Sequence, residues 1–320
     1  MNKPVTKETR VKTEVPFLSV NFIQKFIYLI FLMAFYLPVL LVLAKAFLTR
    51  NAFANLGQFV TSPLFVHTLS FSAQEAFLSA GLSLLLALPG AYFFGRYQFP
   101  GKKIMRSIMV LPFMFPGILV VLGMIIFYGN NGIFNHLVQG MPWLNWKFNH
   151  LYGFWGIVLA NVIYNFTFCL RMLGESWQRI DPKLMEASKL LGAGPYSTWK
   201  RITLPLLMPT MAYLFGLVFL YSFLSFTVVL VLGGYLYKTF EVLIYIEYNQ
   251  KLNFNQATVI ATVQTLILAF FLSIQTYLSR RSRHLGDYSP DLPKLSRRRH
   301  PVLWSLLISY LILAAFSLMR

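Results

Sequence analysis

Seven long apolar runs, separated by short loops in which the basic residues collect, constrain this chain more than any other feature. They cover residues 23–45, 67–94, 105–128, 152–173, 206–232, 256–279 and 302–319. Each approaches the ~20 residues that an α-helix needs to cross a hydrocarbon core roughly 30 Å thick. At that depth there is no water to bond a backbone amide, and a helix satisfies its own. The expected fold is therefore an all-α, polytopic membrane helix bundle. Composition agrees, since 57% of residues are apolar and only 12% are charged, far from a soluble domain. The first run is too long for a signal peptide, and no small-x-small cleavage pattern follows Val39 to Leu43, so it is expected to stay as an anchor.

The formal net charge of +18 is read as topology. A nucleic-acid reader carries its Lys and Arg on a folded polar face, whereas here they sit between apolar runs, so no nucleic-acid partner is expected. The amino-terminal tail holds Lys3, Lys7, Arg10, Lys12 and Lys25, and the loop after the second run holds Arg96, Lys102, Lys103 and Arg106. The loop after the fourth run carries Arg171, Arg179, Lys183, Lys189, Lys200 and Arg201, and that after the sixth carries seven more basic residues from Arg280 to Arg299. The alternate loops hold only Lys45, Arg50, Lys147, Lys238 and Lys251. Basic loops stay in the cytoplasm. The amino terminus is therefore expected to be cytoplasmic, in a cytoplasmic (inner) membrane.

Within the runs, Pro38, Pro89, Pro112 and Pro116 and several glycines interrupt helical sequence. Neighbouring helices can re-satisfy the freed backbone groups, and small residues allow close packing. Pro112 and Pro116, in LPFMFPG, either serve such packing or kink the third span around a translocation path. Glu75 is the one acid expected inside a span. An ionisable group at such depth is a functional candidate, while the plainer account places it at the membrane interface near a helix start, where the macrodipole favours it.

Catalytic and metal motifs are missing. The nearest approach to a phosphate loop is GRYQFPGKK, Gly95 to Lys103, but its glycines stand one residue too far apart and Lys102 precedes Lys103 instead of Ser or Thr. His67, His136, His150, His284 and His300 are scattered and read as solvated. Cys169 reads as a small buried hydrophobe with no disulfide partner. The chain is not expected to be an enzyme, to bind a cofactor or to hold a metal.

One polar stretch remains, DPKLMEASKLLGAGPYSTWKRITLPLLMP, from Asp181 to Pro209. Asp181 is a candidate N-cap and Pro182 suits the first helical turn, so a helix is expected through to Gly192. A Gly-Ala-Gly-Pro turn and a second short helix, YSTWKRI, follow, and Leu204-Pro205 is expected to end the polar segment where the fifth span begins. So short a helix gains little stability alone. It is expected to lie in a groove, of its own bundle or of a partner.

Glu186-Ala187-Ser188, three residues, Gly192, nine residues and Ile202-Thr203-Leu204-Pro205 resemble the EAA loop of ATP-binding-cassette (ABC) importer permeases. That pattern is Glu-Ala-Ala, three residues, Gly, nine residues, Ile-x-Leu-Pro, and Ser188 is the one departure. The runs from His67 to Gln264 are similar to permeases for thiamine, ferric iron and related small solutes. The resemblance implies a type I importer bundle in which the loop is a coupling helix docking on a separate cytoplasmic ATPase dimer. ATP would be used by that partner. Glu186 would contact the ATPase, Ala187 and Ser188 would permit close approach, and Gly192 would make the bend, with Ile202, Leu204 and Pro205 completing the motif. Other partners implied are a periplasmic-type solute-binding protein, a second permease half and membrane lipid.

Gly233, Gly234, Thr239 and Glu241 match the family after the fifth span; they are candidates for the translocation path or gate, along with Glu75, Pro112 and Pro116. The glycine pair is equally a simple span-terminating turn. The expected organisation is a cytoplasmic tail 1–22, a six-span unit 23–279 with coupling loop 181–205, a basic linker 280–300, and a seventh span within 301–320. The last resembles the start of a second half, as in fused two-half permeases, so a partner supplying a second coupling loop is expected. Two rival readings are an ion-coupled secondary carrier, disfavoured by the scarcity of intramembrane acids, and a non-transporting membrane scaffold.

Overall fold

The computed structural model describes residues 22–48, 52–109, 114–139 and 149–280, with Trp304 and Ile308. Pro112, the tail before Phe22, the linker beyond Arg280 and the rest of the seventh run lie outside the described residues. Among the described residues every regular element is a helix. In chain order these are α1 (Phe22–Leu48), α2 (Ala52–Val60), α3 (Pro63–Arg96), α4 (Lys102–Ile108), α5 (Gly117–Tyr128), α6 (Ile133–Gln139) and α7 (Phe154–Gln178). Then come α8 (Pro182–Leu190), α9 (Pro195–Thr198), a π turn (Trp199–Thr203), α10 (Leu204–Phe223), α11 (Thr227–Leu232), α12 (Phe240–Tyr245), a second π turn (Ile246–Gln250) and α13 (Phe254–Arg280).

Five helical segments among them are long and apolar enough to cross a membrane: Pro63–Arg96, Gly117–Gln139, Phe154–Gln178, Pro195–Phe223 and Phe254–Tyr277. The chain divides into two compact units, 1–52 and 53–320. The first contains α1, whose 27 residues give about 40 Å of helix. The second holds the bundle.

The bundle is organised around α3 and α7, its most extensive helix pair, with α10 packed on both. Lipid tails are as apolar as Leu, so helices associate there through close packing rather than through burial from water. The buried face of α3 meets that need with small residues, Ala76, Ala80, Ala87, Ala91 and Gly95. The contact is tightest near the end of the pair. A Cβ on Gly95 would lie 2.5 Å from Trp177 Cβ, and one on Gly174 would lie 3.0 Å from Phe94 Cβ. Each glycine thus accommodates a large side chain of the opposite helix. Cys169 is wholly buried in this core.

Two spans differ from the sequence expectation because their helices break. The third, expected as 105–128, is not continuous: Met109 ends α4 and α5 starts afresh at Gly117. Pro116 is extended, with φ −55° and ψ 134°, and a proline cannot donate into a preceding turn. The fifth, expected as 206–232, ends at Leu224 and resumes at Thr227. Ser225 N–H turns back to Ser222 O at 3.0 Å, closing α10.

The fourth span is longer than expected. It runs to Gln178, so Arg171 is a helical residue and not a loop residue, and it pairs with Glu175 one turn on at 3.0 Å. Glu175 is therefore a second acid within a spanning helix, alongside Glu75. The expected stop at Leu204-Pro205 is absent too, since Pro195 to Phe223 is one helical run. The missing N–H of Pro205 is absorbed by the π turn before it, where Leu204 N–H bonds Trp199 O five residues back.

Candidate functional site

The polar island between α7 and α10 folds as a compact two-helix loop. Asp181 caps α8 by accepting from Lys183 N–H at 2.9 Å, with Pro182 in the first turn. Gly192 ends it at φ +76°, in the left-handed region where a side chain is strained. Two bonds complete the turn: Ala193 N–H to Ser188 O at 3.0 Å and Gly192 N–H to Lys189 O at 2.9 Å. Together they form a Schellman closure, which satisfies two carbonyls the helix leaves open.

The two faces of α8 have different tasks. Met185 and Ser188, three residues apart, face inward. Ser188 is buried, its Oγ 2.8 Å from Met185 O and 2.9 Å from Thr198 Oγ1, while Thr203 Oγ1 reaches Met185 Sδ at 3.7 Å. Ser188 therefore ties α8 to α9 instead of lying on an outward docking surface. Glu186 and Ala187 face outward. Beside them the tip carries Leu190 at 90% and Leu191 at 88% exposure, with Leu184, Tyr196 and Trp199 also exposed. The Tyr196 and Trp199 rings stack with centroids 6.5 Å apart. In the rest of the motif, Ile202 and Leu204 are half-buried and Pro205 is exposed.

A second polar cluster lies inside the bundle. Glu75 is about three turns into α3, wholly buried, so a position at a helix start does not account for it. Its Oε1 accepts from Ser79 Oγ at 2.8 Å and from Asn161 Nδ2 at 2.7 Å, and its Oε2 has no hydrogen-bond partner. Asn161 Oδ1 accepts from Ser225 Oγ at 3.3 Å, in the break between α10 and α11, and Ser225 O accepts from Thr239 Oγ1 at 3.2 Å. Three candidates of the sequence are thereby separated or joined: Glu75 and Thr239 share one chain of hydrogen bonds, whereas Glu241 accepts from Gln264 Nε2 at 3.0 Å.

Gly233 and Gly234 form a turn that ends α11. A Cβ on Gly233 would sit 2.5 Å from both Val229 O and Tyr237 O, and Gly234 has φ +60°. The turn borders a cleft of ≈ 800 Å³ lined by Tyr152, Phe154, Trp155, Tyr235 and Tyr237 among others. Pro116 stands just before α5, whose first residue, Gly117, approaches Thr227 at the start of α11. Sequence reasoning missed Asn161, Asn165 and Ser225. Two asparagines four residues apart in an apolar span, NVIYN, were the available sign, since a helix puts them on one face.

Comparison with known proteins agrees with this architecture. A family described as "Binding-protein-dependent transport system inner membrane component" matches residues 87–284. The thiamine transport system permease protein ThiP of Haemophilus influenzae is 30% identical over 216 residues, 67% of this chain and 39% of that protein. That of Escherichia coli (strain K12) is 31% identical over 168 residues, 52% of this chain and 31% of that protein. A probable sulfate transport system permease protein cysT from Helicosporidium sp. is 28% identical over 174 residues, covering 54% of this chain and 63% of that one. The chain thus spans about a third of the length of the thiamine permeases it matches.

Among solved structures, a bacterial ABC transporter that imports the acidic polysaccharide alginate superposes with a TM-score of 0.64 at 18% identity, covering 82% of this chain and 95% of that one. A bacterial alginate ABC transporter in complex with an alginate pentasaccharide-bound periplasmic protein gives 0.65 at 19%, covering 81% and 93%. At that identity the likeness concerns the fold. With the family matched over most of the bundle and the type I importer fold reproduced, this chain belongs to the binding-protein-dependent transport system inner membrane components, the membrane permeases of ABC importers.

Proposed function

We propose that this chain moves a small solute across the cytoplasmic membrane in an ATP-driven importer, and that the loop 181–205 docks a separate ATPase. The observation that carries this reading is the exposed tip of the loop. Leu190 and Leu191 project almost fully, beside Glu186, with Leu184, Tyr196 and Trp199 exposed on the same loop. An exposed apolar pair on a folded, capped loop marks an interaction surface, and Glu186 adds a carboxylate for a charge-assisted bond. Gly192 supplies the bend that presents them.

In this reading the amino terminus is cytoplasmic, as the basic loops require, and residues 23–279 form one permease half. A second half supplies the twin coupling loop, and a periplasmic-type binding protein delivers solute. Thiamine is the favoured solute over ferric iron, because several similar permeases are named for it. A non-transporting scaffold built on the same permease fold is the alternative.

The test is co-purification with a cassette ATPase of the same organism, co-expressed with this chain. Glu186→Ala and Gly192→Pro should each lose the ATPase while the chain still inserts in the membrane. Unchanged capture and unchanged thiamine uptake would count against the coupling assignment, and a single permease copy bound to two ATPases would remove the need for a second half.

A further inference from the structure

The break between α10 and α11 opens onto a cavity of ≈ 260 Å³ whose wall includes Asn161, Tyr164, Asn165, Tyr221, Ser225 and Thr227. A helix interrupted at membrane depth frees backbone polar groups, which persist there only where protein buries them or where they line a cavity. Here they line one. Asn165 is only 1% exposed, and although its Nδ2 donates to Asn161 O at 2.9 Å, its Oδ1 has no hydrogen-bond partner. A buried amide oxygen without a donor is costly, which is a reason to expect a donor from a ligand.

A carboxyl behind the wall bears on the sign of that ligand. Asn161 links the cavity wall to Glu75, accepting from Ser225 on one side and donating to the carboxyl on the other; Glu75 itself lies behind the wall, wholly buried, with Oε2 unpartnered. Among the described residues no Lys, Arg or His lines the cavity. Two tyrosines and Phe226 add aromatic faces, which attract cations. An unpartnered amide oxygen on a wall residue, Asn165, a carboxyl behind the wall and aromatic rings together favour a hydrogen-bond-donating cation and oppose an anion.

We propose that this cavity is a solute site within the permease itself, taking a small organic cation that carries N–H donors. The inference rests on the permease reading above and adds a recognition step inside the span. Gly117 stands at its edge, where an added Cβ would lie 3.4 Å from Thr227 Cβ, so α5 and α11 meet at the rim.

The experiment uses the full 320-residue chain in lipid nanodiscs, with thiamine and inorganic sulfate as probes in equilibrium binding. Thiamine should bind and sulfate should not displace it. Asn165→Ala and the isosteric Glu75→Gln should each weaken thiamine binding tenfold or more. Ser83→Ala removes another buried hydroxyl of the same α3 face and should leave binding as in the wild type. If Glu75→Gln fails to insert, Gly117→Leu, which fills the rim from a half-buried position, should weaken binding instead. No thiamine binding, displacement by sulfate, or wild-type affinity in the well-folded pocket variants would overturn the proposal. ATPase capture through Glu186 distinguishes the two readings: capture by the wild type that is lost in Glu186→Ala, with no thiamine binding, removes this pocket alone, and capture unchanged in Glu186→Ala removes the coupling assignment.

Discussion

Ser188 Oγ lies 2.9 Å from Thr198 Oγ1, and this contact joins the two short helices of the loop 181–205. Each hydroxyl also has a backbone acceptor on its own helix side, Met185 O at 2.8 Å for Ser188 and Gly194 O at 3.1 Å for Thr198, and either can donate across the pair. The residue that departs from the family pattern is thus an internal fastener. Replacing it by alanine removes both bonds of Ser188 Oγ, while Met185 O keeps its place in the helix and Thr198 Oγ1 keeps Gly194 O as an acceptor 3.1 Å away. The expected loss is therefore small, about 1 kcal/mol. Hydrogen exchange of residues 181–205 should show faster opening in Ser188→Ala with α3 and α7 unchanged. Unaltered exchange throughout the loop would show that the contact does not fasten it.

The two glycines of the loop should respond differently to alanine. Gly192 has φ +76°, whereas Gly194 is extended at φ −69°, and neither has an atom within 4 Å of an added Cβ. Space is equal, so backbone conformation decides. Gly192→Ala should cost about 1 kcal/mol by forcing a side chain into the left-handed region, while Gly194→Ala should be neutral or slightly stabilising. Thermal melts of the two variants in one detergent, compared with the wild type, check the order. Equal melting temperatures would mean that the Schellman closure does not depend on this glycine.

The crossing of α3 and α7 should be far less tolerant. A Cβ on Gly95 would approach Trp177 Cβ to 2.5 Å, and the obstacle is the root of a side chain rather than its flexible end. Helix displacement is then the one remedy, at about 1–3 kcal/mol. Gly81, on the same helix, has nothing within 4 Å, so Gly81→Ala should match or exceed wild-type stability. The measurement is the detergent melting midpoint of both variants. A Gly95→Ala protein as stable as Gly81→Ala would show that the two helices can separate at no cost.

The bundle was legible because span length and loop charge are properties of long stretches, which no single contact overrides. The Asp181 cap and Gly192 bend were legible for the opposite reason, being set by residues adjacent in sequence. Interruptions were not. Pro205 reads as a helix stop, yet a π turn absorbs it, while the true break at Leu224 to Phe226 contains no proline or glycine and is held from elsewhere, by Asn161 and Thr239. Side-chain direction was hidden as well: nothing local shows that Ser188 faces inward while Leu190 and Leu191 face out, because that depends on where α9 lies.

Lys102 gives a pH test outside the spans. It begins α4, is nearly buried, and donates from Nζ to Tyr97 O at 2.7 Å. Burial pushes its pKa down to about 8, and the neighbouring Arg106 guanidinium adds repulsion in the same direction. In the unfolded chain a lysine titrates near 10.4. Between those values the folded protein binds fewer protons than the unfolded one, so its stability rises with pH. Below pH 8 the cost of keeping the ammonium buried is present in full; it is relieved as the amine becomes neutral, and the neutral amine can still donate to Tyr97 O. Relative to Lys102→Met, the wild type should therefore gain about 1 kcal/mol between pH 8 and 9.5. Denaturation of both proteins across that interval measures the difference. Parallel curves would show that Lys102 titrates as a solvated lysine and that the turn after α3 leaves it open to water.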